Sequence, residues 1–74
     1  MLSIFASVLG LELSDLREES SPANTSTWDS MANIMLVTEI EAEFGIELST
    51  SDIESMKSIG ETRAVLERLG VANL

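Results

Sequence analysis

The apolar positions of this chain recur at the spacing of amphipathic helices, and no stretch shows the alternation typical of a strand. Three such stretches end in a glycine that stands between two apolar residues, at Gly10, Gly45 and Gly70. Glycine adopts the left-handed conformation that ends a helix, and the apolar residue after it packs back on the last turn. The pattern predicts three main helices, over Leu2–Leu9, Ser30–Phe44 and Ile59–Leu69.

Two serine-to-glutamate spacings mark helix starts in the second half of the chain. Ser51 precedes Glu54, and Ser58 precedes Glu61, by the interval of a capping box, in which side chains satisfy the free backbone N–H groups. The first spacing predicts a short helix over Asp52–Met56. The second spacing opens the last main helix.

A long connection, residues 11–28, separates the first two helices, and loops of this length are usually functional or mobile. The elements together predict an all-α fold, a small right-handed bundle of three main helices plus one short helix. A chain of 74 residues has room for a single domain, residues 1–74. The predicted core consists of Phe5, Leu9, Leu36, Val37, Ile40, Phe44, Leu66 and Leu69.

The second helix is apolar on more than one face. Leu36 and Ile40 mark its core side, because they fall together at the helical rotation of about 100° per residue. A helix in so short a chain cannot be buried all round, so we expect an exposed apolar strip with a charged rim, which often marks a protein-binding site. Alternatively, the long loop covers Met31 and Ile34. The strip consists of Met31, Ile34, Met35 and Ala42, and its acidic rim of Glu39, Glu41 and Glu43.

Composition limits the possible functions. Thirteen acidic residues against four basic ones give a net charge of −9, which disfavours nucleic acid and favours basic protein surfaces. The chain has neither cysteine nor histidine, so thiolate catalysis and triads built on those residues are excluded. Calcium and phosphate loop motifs are also missing. We therefore expect neither an enzyme nor a metal site.

The first ten residues are apolar but too short to span a membrane. They also lack the basic segment and the cleavage site of a signal peptide. The sequence therefore predicts a cytoplasmic protein without membrane insertion. We also expect the protein to be a monomer.

Candidate chemistry is confined to residues 28–31, at the head of the second helix. Asp29 is suited to cap this helix by accepting its first free N–H groups. The cap leaves Ser30 in the first turn with its hydroxyl available. A phosphate attached there would lie in the positive field of the helix N-terminus. Taken alone, an Asp-Ser pair before a helix is usually only a cap.

The run Asp29-Ser30-Met31 resembles the modification motif of the acyl and peptidyl carrier protein family, which is Asp-Ser followed by Leu or Met. The order and spacing of the helices are also similar, over residues 2–70. The resemblance implies that Ser30 attacks coenzyme A, with magnesium and a phosphopantetheinyl transferase, and receives 4′-phosphopantetheine. Substrates would then travel as thioesters on this arm. Trp28 departs from the usual motif, because the family often has Leu-Gly-x before the Asp, and it indicates a specialised carrier.

The resemblance also implies that partner enzymes bind the second helix. The expected partners are the transferase and acyl-loading, synthase or transferase enzymes with basic surfaces. The predicted function is to carry acyl intermediates, as in fatty acid or polyketide biosynthesis. Two alternatives stay open, an aminoacyl or peptidyl carrier and a noncovalent acidic helical adaptor that does not use Ser30. The expected recognition residues are Trp28, Met31, Ile34, Met35, Glu39 and Glu41.

Overall fold

A computed structural model describes residues 1–71, and within that range the chain forms helices and their connections without any strand. This confirms the all-α fold with three longer helices and one short one. The right-handed arrangement of the bundle stays a prediction. None of the described helices is long and apolar enough to cross a membrane. The helices are α1 (Leu2–Leu9), α2 (Ser30–Phe44), α3 (Thr50–Ser55) and α4 (Ile59–Arg68), with a 3-10 turn at Leu13–Asp15.

The glycine signals define the helix ends as predicted. Gly10 and Gly45 adopt positive φ angles of 68° and 63°. The N–H of the next apolar residue then bonds back into the helix, as Leu11 does to the Ala6 carbonyl at 3.0 Å. Helices α1 and α2 therefore have the predicted boundaries.

The end of α4 departs from the prediction, because the helix stops at Arg68. Leu69 lies beyond the helical stripe and is 39% exposed, so its placement in the core was wrong. The chain reverses at Gly70, and Val71 packs against the core instead, with its N–H bonded to the Leu66 carbonyl at 3.0 Å.

The buried apolar residues form one cluster between the helices. Five predicted members are buried, whereas Val37 and Phe44 are half-buried at its edge. The cluster also includes Trp28 from the loop and Met56 from the connection before α4, and neither residue was predicted to lie in the core. The five confirmed residues are Phe5, Leu9, Leu36, Ile40 and Leu66.

The middle of the long loop is hydrogen-bonded to the start of α4. The N–H groups of Ile59 and Gly60 donate to the carbonyls of Ser20 and Glu18, at 3.0 and 2.8 Å. The Arg63 guanidinium also contacts the Glu18 carboxylate at 2.9 Å. The close approach suits a glycine, because a Cβ at Gly60 would lie 3.1 Å from the Glu18 carbonyl oxygen. These contacts fix the path by which the loop reaches α2.

Helix α3 begins two residues earlier than predicted, because its cap is Ser49 and not Ser51. The Ser49 hydroxyl accepts the Asp52 N–H at 3.1 Å, and the Asp52 carboxylate accepts the Ser49 N–H at 3.2 Å. This reciprocal pair is a capping box, which the sequence had predicted at Ser51 and Glu54 instead. Ser58 caps α4 as predicted, accepting the Glu61 N–H at 3.1 Å.

The Asp52 carboxylate makes the start of α3 sensitive to acid. Its pKa lies below the ordinary 3.8, first because it accepts the Ser49 N–H, and further because of the Ser49 hydroxyl and Arg68. The charged carboxylate therefore stabilises the fold fully above its unfolded-state pKa, and this contribution is lost as the pH falls through the lower folded-state pKa.

We expect the unfolding free energy of the wild type to fall more than that of Asp52→Asn between about pH 6 and pH 2. Urea denaturation at a series of pH values measures the difference between the two proteins. Glu54→Gln is the matched control on the same helix and should keep the acid response of the wild type. Identical pH dependence of wild type and Asp52→Asn would contradict the assigned role.

Candidate functional site

The start of α2 is capped by Asp29, as predicted. Asp29 has extended backbone angles, and its Oδ1 accepts the Ala32 N–H at 2.9 Å. Its carbonyl accepts the Asn33 N–H at 2.9 Å, the first hydrogen bond of the helix. The cap therefore places Ser30 at the first helical position.

We expect Asp29→Ala to lower the free energy of unfolding by about 1 kcal/mol, because the Ala32 N–H loses its acceptor. Chemical denaturation measures the change. Asp29→Asn keeps a capping oxygen and should retain most of the stability. Equal losses in the two variants would show that the cap is not the source of the effect.

The Ser30 side chain is exposed, and its hydroxyl makes no hydrogen bond within residues 1–71. The serines that cap α3 and α4, Ser49 and Ser58, have their hydroxyls occupied. The first backbone N–H groups of a helix have no partner inside it, so the Ser30 hydroxyl lies at the positive end of a helix of 15 residues. An anionic group attached to this oxygen would be stabilised there.

An open cleft of about 600 Å³ borders Ser30. Asn33 and Ile34 of α2 line one side of it, and Ile53 of α3 lines the other. Lys57 is the basic residue of its lining. The carboxylates of Asp29 and Glu54 also line it. The cleft therefore combines apolar side chains with hydrogen-bonding groups and charges of both signs, which fits a flexible chain that carries both apolar and polar groups.

The apolar strip of α2 is exposed, as predicted. Met31, Ile34 and Met35 are 74%, 65% and 52% exposed, so the long loop does not cover them. Thr38 lies on the same outer face, and its hydroxyl donates to the Ile34 carbonyl at 2.9 Å. Glu39 is exposed beside the strip. The surface is therefore available to a partner, while its role in recognition stays a prediction.

Two expected recognition residues have partners inside the protein. Trp28 is only 3% exposed, because its ring packs edge-on against Phe5 with the ring centroids 5.4 Å apart. Glu41 is half-buried, and its carboxylate accepts the Leu48 N–H at 2.8 Å. The burial of Trp28 therefore contradicts its expected role in partner recognition. Glu41 stabilises the connection that follows α2.

Three residues that line the cleft around Ser30 were not predicted as site residues, namely Asn33, Ile53 and Lys57. Asn33 follows Ser30 by three residues, and this spacing is a signal in the sequence that the two side chains are neighbours on α2. No comparable signal marks Ile53 or Lys57, because tertiary packing brings them to the site.

Comparison with known proteins agrees with this arrangement. The family model described as the phosphopantetheine attachment site matches residues 1–66. The acyl carrier protein of Thermotoga maritima is 29% identical over 66 residues, which cover 89% of this chain and 82% of that protein. The chain therefore belongs to the phosphopantetheine-attachment family, the carrier proteins with a covalently attached 4′-phosphopantetheine arm.

Proposed function

We propose that this protein holds acyl intermediates as thioesters on a 4′-phosphopantetheine arm at Ser30 and delivers them to successive enzymes of a biosynthetic pathway. The observation that supports the proposal is the free, exposed Ser30 hydroxyl at the start of the longest helix, beside the cleft. The arm supplies the thiol that binds the cargo. The protein supplies the attachment point and the surface that partners bind.

The chemistry of attachment requires a second protein. The Ser30 oxygen forms a bond to the phosphorus next to the pantetheine half of coenzyme A, and the bond from that phosphorus to the nucleotide half breaks. The hydroxyl proton passes to a base of the transferase, because this chain has no histidine and Ser30 has no hydrogen-bonded base within residues 1–71. Magnesium, bound with coenzyme A, would neutralise the phosphates.

The residues of this chain can stabilise the attached phosphate. The positive end of α2 favours an anion at Ser30, and Lys57 lines the same cleft. Because the hydroxyl is not the helix cap, its modification leaves the Asp29 contact with Ala32 in place.

The partner surface consists of Met31, Ile34 and Met35 with Glu39 beside them. Exposed apolar side chains next to the attachment site provide contact area, and the net charge of −9 attracts enzymes with basic surfaces. We assign this surface to the transferase and to the acyl-loading and synthase enzymes.

Intact mass measurement tests the proposal. After incubation with coenzyme A, magnesium and a broad-specificity phosphopantetheinyl transferase, the protein should gain the mass of one arm. A reaction without transferase and one with a known carrier protein serve as controls. No gain while the known carrier is loaded would contradict the proposal and favour a noncovalent adaptor.

A further inference from the structure

The amide of Asn33 has a defined orientation, because Trp28 binds one end of it. The Trp28 indole Nε1 donates to the Asn33 Oδ1 at 3.2 Å. An indole N–H can only donate, so the amide oxygen faces it and the NH₂ group points away. Trp28 is 3% exposed and packed against Phe5, so this donor is held in place.

The NH₂ group of Asn33 is free to bind a ligand. Its Nδ2 has no hydrogen-bond partner within residues 1–71. Every buried side-chain nitrogen or oxygen atom in these residues does have a hydrogen-bond partner, so Nδ2 is not one of the buried atoms. The nitrogen is therefore accessible to solvent. Asn33 lines the same cleft as Ser30 and follows it by three residues, which places the two side chains next to each other on one face of α2.

We propose that the Asn33 NH₂ group donates a hydrogen bond to an oxygen of the arm, in the half nearest Ser30, and that Trp28 is the residue that positions this donor. The inference rests on the proposed attachment at Ser30. Side chains three residues apart on a helix have Cβ atoms roughly 5–6 Å from each other, so Asn33 reaches the proximal half of the arm and not its thiol end.

The contact directs the arm along the cleft. The proximal half of the arm offers phosphate, hydroxyl and amide oxygens, all of which accept hydrogen bonds. A donor that is already oriented loses little entropy when it binds, so it restricts the arm at low cost. Because the thiol end is not involved, the contact is the same with and without cargo.

A purely structural role for Asn33 makes a different prediction. A buried indole N–H needs an acceptor, and Asn33 Oδ1 supplies it regardless of the arm. In that case, attachment of the arm would leave the exchange of the Asn33 NH₂ protons with solvent unchanged.

The exchange rate of these protons, measured by NMR on ¹⁵N-labelled protein before and after loading, separates the two roles. Intact mass first establishes that the arm is attached. We expect loading to slow the exchange of the Asn33 NH₂ protons several-fold, equally for the free thiol and for an acetyl thioester. The Asn24 NH₂ group, which donates to the Glu19 carbonyl at 3.0 Å, is the internal control and should not change.

The outcomes distinguish this inference from the proposed function. Full loading with unchanged exchange at Asn33 would overturn the inference and leave the carrier function intact. A slowing that appears only with the acetyl thioester would overturn the assignment to the proximal half. Absence of any mass gain would instead refute the attachment on which the inference rests.

Two variants test the contact and the positioning role separately. Trp28→Phe keeps an aromatic ring against Phe5 but removes the Nε1–H, so loading should proceed while the arm protects Asn33 less. Protection equal to that of the wild type would overturn the role of Trp28. The pantetheine half of the arm carries two methyl groups on one carbon near the phosphate, and their NMR chemical shifts differ when the arm is held in one position. In Asn33→Ala these two shifts should move closer together, because the arm becomes more mobile. Unchanged methyl separation in the loaded variant would overturn the contact itself.

Discussion

Ile40→Ala should lower the free energy of unfolding by about 2–5 kcal/mol, because it removes methyl groups from a side chain that is fully buried between the helices. A chain of 74 residues is expected to have a total stability near the lower end of about 5–15 kcal/mol. The variant is therefore expected to be partly unfolded at moderate temperature. Urea denaturation, with unfolding monitored by circular dichroism, measures the loss of unfolding free energy.

Ile34→Ala is the matched control, since it is the same substitution on the same helix. Ile34 is 65% exposed, so its removal should change stability by less than about 0.5 kcal/mol. The loss should appear instead in the rate of loading by the transferase. If Ile34→Ala destabilises the protein as much as Ile40→Ala, while its folded fraction is loaded normally, the strip belongs to the core and the partner surface is wrong.

Ser30→Ala should abolish loading completely. The substitution removes the oxygen to which the arm is proposed to be attached, while Asp29 continues to cap the helix. Stability should therefore change by less than about 0.5 kcal/mol. Intact mass after incubation with coenzyme A, magnesium and transferase measures loading, and denaturation measures the fold.

Ser51→Ala is the control for this variant, because Ser51 is another exposed serine in the first turn of a capped helix. It should be loaded like the wild type. If Ser30→Ala still gains the mass of one arm, another hydroxyl is the attachment point and the assignment of Ser30 is incorrect.

Local signals in the sequence were sufficient to define most helix boundaries. Gly10 and Gly45 end α1 and α2 because a left-handed residue breaks the helix wherever it occurs, without help from distant contacts. Asp29 and Ser58 cap their helices for an equally local reason. The short helix α3 was predicted, but its start was placed two residues too late because Ser49 and Ser51 both have an acidic residue three positions later, and the sequence does not rank the two.

Features that depend on tertiary contacts could not be predicted in the same way. Trp28 follows a polar stretch of the loop, and its burial depends on the positions of Phe5 and Asn33. The cleft beside Ser30 likewise requires α3 and Lys57 to approach the start of α2. Helical periodicity describes one element at a time, so it identified the exposed strip but not the surroundings of the Ser30 hydroxyl. Ser30 itself was singled out by the resemblance of Asp29-Ser30-Met31 to the family's modification motif.

The most direct test of the account is to locate the arm within the loaded protein. Trypsin cuts after Arg17 and Lys57 and releases the peptide 18–57, which contains the whole of α2. Fragmentation of this peptide by tandem mass spectrometry assigns the added mass to a single residue. The account predicts that Ser30 carries one phosphopantetheine group, and the same mass on any other serine or threonine would contradict it.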